Sequence, residues 1–483
     1  MKADIIRQLN QQNTLDNMIP LTEFSSVAKL RELERRGYYA GYTAESWKAE
    51  FPEIDPKYIL CPQTVVFPAS LRYYDPEHYI CFDTYIYNGK NLYSGEKGSP
   101  QDMLLDLISR SMKDYEEKNY IALLLPISSE ESGGIAIRVL REMLEREEPN
   151  PKLYDAFLSV YTLCNTGAHI LGRKALERLQ MCKSIEQKSE TAQKLSKYPG
   201  DSITVYRGEG SKSTPQEKAC SWTTDINKAY FFASWRSAED STILTGRVPK
   251  DKILEFIDRR NEKEVLVQPG AVELIHRKRC VGWDAFQNII AADMLDSRHR
   301  FPKESLARNI IKELEVVYSD AGAADHDKEH SLRVALLANF MFRMDVLLRK
   351  ENFKKECGLL TDLSRAAVYH DAGRTDNTSN TEHGAAGYEK YRKDHGENKM
   401  VKFLTTYHCR HDKDAREYWE DNFTGDMSDS IWKAFCILKD ADALDRVRFG
   451  NLSRDFLDVN TLRTETAKSL VPCAFQLAKA KLW

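Results

Sequence analysis

The chain has 483 residues, 42% of them hydrophobic and 30% charged, the balance of a globular protein of about three domains at roughly 100–200 residues each. With 70 basic against 73 acidic residues the formal net charge is −3, which excludes a strongly basic nucleic-acid binder while leaving room for a local basic patch. The longest apolar run, Tyr120 to Ile127, is far shorter than the roughly 20 residues of a membrane span.

Residues 1–100 read as a small α+β region. They are rich in aromatics, among them Trp47, Phe51, Tyr73, Tyr79 and Phe82, and six prolines from Pro20 to Pro76 interrupt any long helix. The start, Met1-Lys2-Ala3-Asp4-Ile5-Ile6-Arg7, lacks the apolar stretch of a secretory signal. The stretch from Tyr79 to Tyr87 has strand propensity. Residues 101–199 read as helical. Ile135, Val139, Leu140, Met143 and Leu144 recur at helical spacing, and the helix should stop at Glu147-Glu148-Pro149-Asn150-Pro151. Lys183 to Lys197 reads as an exposed helix or linker.

Residues 200–299 carry strand-like pieces at Ser202–Tyr206, Ile243–Val248 and Val265–Val267, with a helix around Ala229–Ala233. Glu255 to Arg260 reads as a charged surface turn. Residues 300–483 turn helical again. Seven of the 11 histidines lie between His326 and His411, where random scatter would place about two; histidine is the commonest metal ligand near neutral pH. The 10 cysteines contain no Cys-x-x-Cys pair, so they read as reduced, mostly buried thiols of a cytoplasmic protein.

Two constellations carry chemistry. The first runs Tyr206-Arg207-Gly208, then Ser221-Trp222-Thr223-Thr224-Asp225, then Glu262-Lys263-Glu264-Val265-Leu266-Val267. On a strand, positions i and i+2 share a face, so Glu262 and Glu264 are expected to point into one cleft. This order resembles the mono-ADP-ribosyltransferases of the arginine-serine-glutamate class, over roughly residues 200–290. The resemblance implies a β-rich split sandwich, NAD as substrate, and an unknown protein or nucleic-acid acceptor. It casts Glu264 as the carboxylate that stabilises an oxocarbenium-like ribose. Arg207 would pair with a phosphate of NAD, Ser221 would orient Glu264 or the ribose, and Glu262 would act as base on the acceptor. Gly208 and Thr223 would complete the NAD site.

The second constellation begins with His326-Asp327-Lys328-Glu329-His330, two histidines four apart on one helical face. His370-Asp371 closes the helical stretch from Ala366, His383 follows a polar loop, and His408 and His411 sit three apart. Asp440-Ala441-Asp442-Ala443-Leu444-Asp445-Arg446 ends the series in a helical context. The order resembles the HD-domain metal-dependent phosphohydrolases, over about residues 318–450. The resemblance implies an all-α domain in which His330, His370, Asp371 and Asp442 hold a divalent metal ion. His326 is an alternative to His330, and Asp440 to Asp442. His383, His408 and His411 would bind a second metal or substrate phosphate. Mixed imidazole and carboxylate ligands do not select one metal.

The expected whole is an α+β multidomain protein. It comprises residues 1–100 of unknown role, a helical segment 101–199, a transferase-like domain 200–299 and an HD-like domain 300–483. The expected function joins NAD-dependent transfer to cleavage of a nucleotide or phosphodiester. Two alternatives stay open: an HD enzyme of single activity whose β domain binds nucleotide, and a non-catalytic adaptor that senses ligands.

Overall fold

The computed structural model of the chain describes residues 15, 18–23, 43–62, 71–84, 86–87, 90–91, 99–128, 134–163, 168–211, 213–236, 239–258, 261–291, 306–318, 326–349, 353–377, 380–425, 427–449 and 457–480. The fold is mixed α and β, with antiparallel sheets and a helical C-terminal region. The chain divides into two compact units. One spans Met1–Ile203, Thr214–Trp222 and Val248–Glu273; the other spans Thr204–Ser213, Thr223–Arg247 and Leu274–Trp483.

In the first unit, β1 (Met18–Pro20), β2 (Ile59–Pro62), β3 (Arg72–Asp75) and β4 (Ile80–Asp83) form an antiparallel sheet in chain order. Its register sets Tyr73 opposite Phe82, and their rings stack at 5.0 Å, a cross-strand pair of the kind that stabilises sheets. Trp47 and Phe51 of the segment around α1 (Ala44–Glu50) stack at 4.2 Å and are buried with them. The helices follow local rules. Ser99 and Asp102 form a capping box at α2 (Pro100–Glu116), with proline at the first helical position. After α3 (Tyr120–Leu124), α4 (Ile135–Arg146) buries its apolar stripe and ends where the charged Pro-rich turn was expected. Asn150 caps α5 (Pro151–Tyr161). Next come α6 (Gly172–Met181) and α7 (Ile185–Ser196), which has its own capping box at Ser184.

The strands after residue 200 are β5 (Ser202–Glu209), β6 (Ser221–Thr223), β7 (Thr242–Pro249), β8 (Ile253–Ile257), β9 (Glu264–Val267) and β10 (Glu273–Arg279), with α8 (Ile226–Arg236) between β6 and β7. Within the first unit β8 pairs antiparallel with β9. Glu255 on β8 is buried, contrary to the surface turn expected there. It meets the equally buried Lys183 at 3.0 Å and accepts hydrogen bonds from Tyr154 and Thr191. Lys183 also donates to Leu254 O at 2.6 Å and Thr191 at 2.9 Å. A buried charge survives only when paired and bonded in this way. Arg259 and Arg260 of that expected turn lie outside the described residues.

The expected boundaries at 100, 199 and 299 do not coincide with the units. Residues of 1–100 and 101–199 share one apolar core, and 200–299 is divided between both units. The boundary falls inside β5, β6, β7 and β10, where no linker composition marks it.

The second unit ends in nine described helices: α9 (Trp283–Ala291), α10 (Leu306–Val317), α11 (Lys328–Arg349), α12 (Phe353–Tyr369), α13 (His383–His395), α14 (Lys399–Tyr407), α15 (Asp412–Asn422), α16 (Ser428–Asp445) and α17 (Glu465–Lys479). From His330 to Phe342 every residue of α11 is buried. A helix buried all round over this length belongs in the centre of a bundle, and α11 packs against both α12 and α16. Among the described residues no helix is long and apolar enough to cross a membrane. The described cysteines are free; six of the eight are buried, and Cys409 and Cys436 are half-buried.

Candidate functional site

Five helices of the second unit bring histidines and aspartates to one point. His330 lies in the first turn of α11, His370 and Asp371 follow the last residue of α12, and His383 opens α13. His408 follows α14, and Asp442 and Asp445 lie in the last turns of α16. The approach of α13 to α12 requires a glycine. A Cβ on Gly387 would sit 2.2 Å from the carbonyl oxygen of Tyr369, so any side chain there would separate the helix from the residues that carry His370 and Asp371.

Asp371 is the hub. Its Oδ2 lies 2.5 Å from His326 Nδ1, 3.3 Å from His330 Nε2 and 3.5 Å from His370 Nε2. Its Oδ1 lies 2.9 Å from Arg374 Nε, 3.2 Å from His383 Nε2 and 3.6 Å from His408 Nε2. Asp442 Oδ1 stands 3.4 Å from His330 Nε2 and 3.9 Å from His370 Nε2. His330 and His370 face each other through Nε2 at 3.1 Å, and so do His383 and His408. Asp371, His330, His370, His383 and His408 are 0–2% exposed, Arg374 is 13% and His326 15% exposed, and Asp442, at 34%, is where the cluster meets solvent.

The tautomers follow from the outer partners. His370 Nδ1 lies 2.8 Å from Ala367 O and His408 Nδ1 lies 2.7 Å from Thr405 O. A carbonyl only accepts, so each Nδ1 carries a proton, and each ring turns its Nε2 inward. His330 Nδ1 donates in the same way to Asp445 Oδ2 at 2.8 Å, and Asp445 is held by Arg333 at 2.6 Å and Arg448 at 3.2 Å. This arrangement matches the outer-shell fixing of metal-ligating histidines.

Lone pairs and carboxylates crowded in a dry site repel unless a cation or protons lie among them. The titration behaviour expresses this. Burial pushes His370 down to about 3. Burial acts downward on His330 too, but Asp371 and Asp445 outweigh it and raise the ring to about 9. For Asp371, burial acts upward, while His370 and the hydrogen bonds from His326, His330 and His383 hold it well below the carboxylate range. The donor set fits a divalent ion. His330, His370 and Asp442 form one possible ligand group, His326, His330 and Asp371 a second, and His370, Asp371 and His408 a third.

Two expected residues are not brought in. Asp440 is two positions from Asp442, so it faces the other side of α16. There it accepts from the backbone N–H of Arg463 and Thr464 and from the Thr464 hydroxyl, each within 3.1 Å. His411 does not continue the face of His408, because α14 ends at Tyr407 and the chain turns. His411 is exposed in extended conformation before α15. Asp445, which orients His330, was visible in the sequence three positions after Asp442 but carried no motif.

The first constellation is distributed. Ser221, Glu262 and Glu264 belong to the first unit, and Arg207, Gly208 and Thr223 to the second. Glu264 opens β9, and its Oε1 accepts from the Ser221 hydroxyl and, at 2.6 Å, from Tyr161. Burial and then the Glu264 charge drive the Tyr161 phenol well above its ordinary pKa, so it stays a donor. Tyr161 lies about 100 positions upstream with no sequence signal tying it to Glu264. Glu262 is buried but precedes the strand, and Lys263 between the two glutamates has φ 47°. The strand alternation expected to align Glu262 with Glu264 is therefore broken at Lys263. Arg207 on β5 is buried and pairs with Glu209 at 3.0 Å. A Cβ on Gly208 would meet Ala229 O at 2.0 Å, so glycine there lets β5 lie against α8. Thr223 accepts from the Asp225 N–H at 3.1 Å where the chain enters α8. Neither a family model, nor a curated protein, nor a solved structure matches this chain.

Proposed function

We propose that the helical unit is a metal-dependent phosphohydrolase of HD type acting on a nucleotide or phosphodiester. The observation that carries the reading is the convergence of the His330, His370 and His408 Nε2 atoms on Asp371, with an acceptor behind each ring. His330, His370, Asp371 and Asp442 would hold the ion, with His326 beside them; His383 and His408 line the other oxygen of Asp371. A divalent ion held there supplies Lewis acidity toward a phosphoryl oxygen and a bound water of lowered pKa. Asp445 keeps the His330 tautomer, Arg374 holds Asp371, and Asp442, at the solvent edge, stands where substrate would enter.

A second activity rests on Glu264. A buried carboxylate oriented by two hydroxyl donors, Ser221 and Tyr161, is the kind of group that stabilises a developing oxocarbenium ion. This supports NAD-dependent ADP-ribosyl transfer, with Glu264 as the electrostatic stabiliser and Glu262 as base.

The test is elemental analysis of the purified wild type and Asp371→Ala, run beside release of product from a panel of nucleotides and labelling by radioactive NAD in lysate. The phosphohydrolase reading expects bound metal and hydrolysis in the wild type, both lost in the variant, with labelling retained. Equal metal in the two proteins overturns it. Absence of both label and released nicotinamide overturns the transferase reading.

A further inference from the structure

The Oδ1 side of Asp371 offers two imidazoles, His383 and His408, and the expected third histidine, His411, points elsewhere. The residue beside His408 fills the gap. The Sγ of Cys409 and the ring nitrogens of His383 and His408 all lie within 4.8 Å of one another, the spacing of a ligand set. Cys409 follows the end of α14 and is half-buried, and its thiol donates to Thr381 O at 3.4 Å from the loop that precedes α13. A second, independent observation concerns His383. It is 2% exposed, and its Nδ1 is buried without a hydrogen-bond partner. The corresponding nitrogens of His330, His370 and His408 are each tied to an acceptor. A buried ring nitrogen left unsatisfied by the protein is costly, and this one lies in the ring that Cys409 adjoins.

We propose that Cys409 is a metal ligand, forming with His383 and His408 a thiolate-containing position beside the Asp371 carboxylate. This inference rests on the metal-centre reading and deepens it. The centre would then have two lobes of different softness. His330, His370 and Asp442 offer only nitrogen and oxygen, whereas the His383–His408–Cys409 lobe selects zinc or ferrous iron over magnesium. On binding, the Cys409 thiol proton leaves to solvent and its bond to Thr381 O is given up.

Cadmium and cobalt(II) report sulfur ligation directly through a thiolate-to-metal charge-transfer band in the ultraviolet. The full chain is loaded with each ion, and absorption and bound metal are measured for the wild type, Cys409→Ala and Cys409→Ser. The expected result is a band in the wild type that is lost in both variants, with metal at the other lobe retained. Circular dichroism checks that each variant is folded, and the serine variant, close in volume, guards against a packing effect. Metal bound by the wild type without the band, or a band that persists in both variants, overturns the assignment of Cys409 alone. Failure of the wild type to bind either ion overturns the metal-centre reading itself.

Discussion

Asp445→Asn separates the outer shell of the centre from its ligands. Asp445 does not face the shared point; it accepts from His330 Nδ1 at 2.8 Å and from Arg333 at 2.6 and 3.1 Å. Asparagine keeps the shape and can keep one acceptor for His330, but it loses the charge that strengthens the ring as a ligand. Loss of such a partner typically weakens metal binding about 10–100-fold, or roughly 1.4–2.7 kcal/mol. The substitution has a second, metal-independent effect. Arg333 is 7% exposed and Asp445 1%, so the guanidinium is left buried with its main partner gone, which costs about 3–5 kcal/mol. Denaturant unfolding of the metal-free protein measures the second effect. Chelator competition, or the gain in stability with added zinc or manganese, measures the first, because a ligand bound only to the native state stabilises in proportion to ln(1 + [L]/Kd). Wild-type metal affinity in Asp445→Asn would refute the argument that the charge of this carboxylate strengthens His330 as a ligand. Unchanged metal-free stability would refute the reading of the Arg333 pair.

Four further outcomes are expected. Asp440→Asn should lower stability by about 1–3 kcal/mol, because an amide nitrogen cannot accept the bonds that one carboxylate oxygen takes from Thr464 and Arg463, while elemental analysis finds its metal intact; loss of metal would place Asp440 in the site. Gly387→Ala should force α12 and α13 apart, costing roughly 1–3 kcal/mol or more, and should reduce bound metal, as thermal unfolding and elemental analysis will show. Glu264→Gln should slow NAD-dependent transfer about 100-fold or more, and near-normal transfer in a labelled-NAD assay would remove it as the catalytic carboxylate. For Asp412, burial acts upward but the hydrogen bonds and charges of Arg463 and Lys439 prevail and lower its carboxyl from 3.8 to about 2. A depressed pKa gives stability that is present above 3.8 and lost as pH falls through about 2, so acid titration of Asp412→Asn should lack that part of the decline. The half-exposed position of Asp412 keeps this contribution small.

Local chemistry made much of the chain legible without a fold. The helix from Ile135 to Arg146 was written in its apolar spacing and in the Pro-rich turn after it, and the strands after residue 200 in their β-branched runs. The histidine cluster stood out because His330, His370, Asp371, His383 and His408 each sit at or near a helix end, where a motif remains contiguous. Tertiary structure alone decided which neighbours face inward. Asp442 and Asp440 are equivalent in composition and differ only in helical phase, which sends one to the histidines and the other to Thr464. His411 was lost to the site because a helix ended four residues before it, whereas Cys409, beside His408 at that same turn, comes within ligand distance of His383 and His408. Tyr161 and Lys183 find Glu264 and Glu255 across long stretches of chain. Periodicity reports which face of an element is apolar, but not which distant element covers it, so pairings of buried polar groups appear only once the chain has folded.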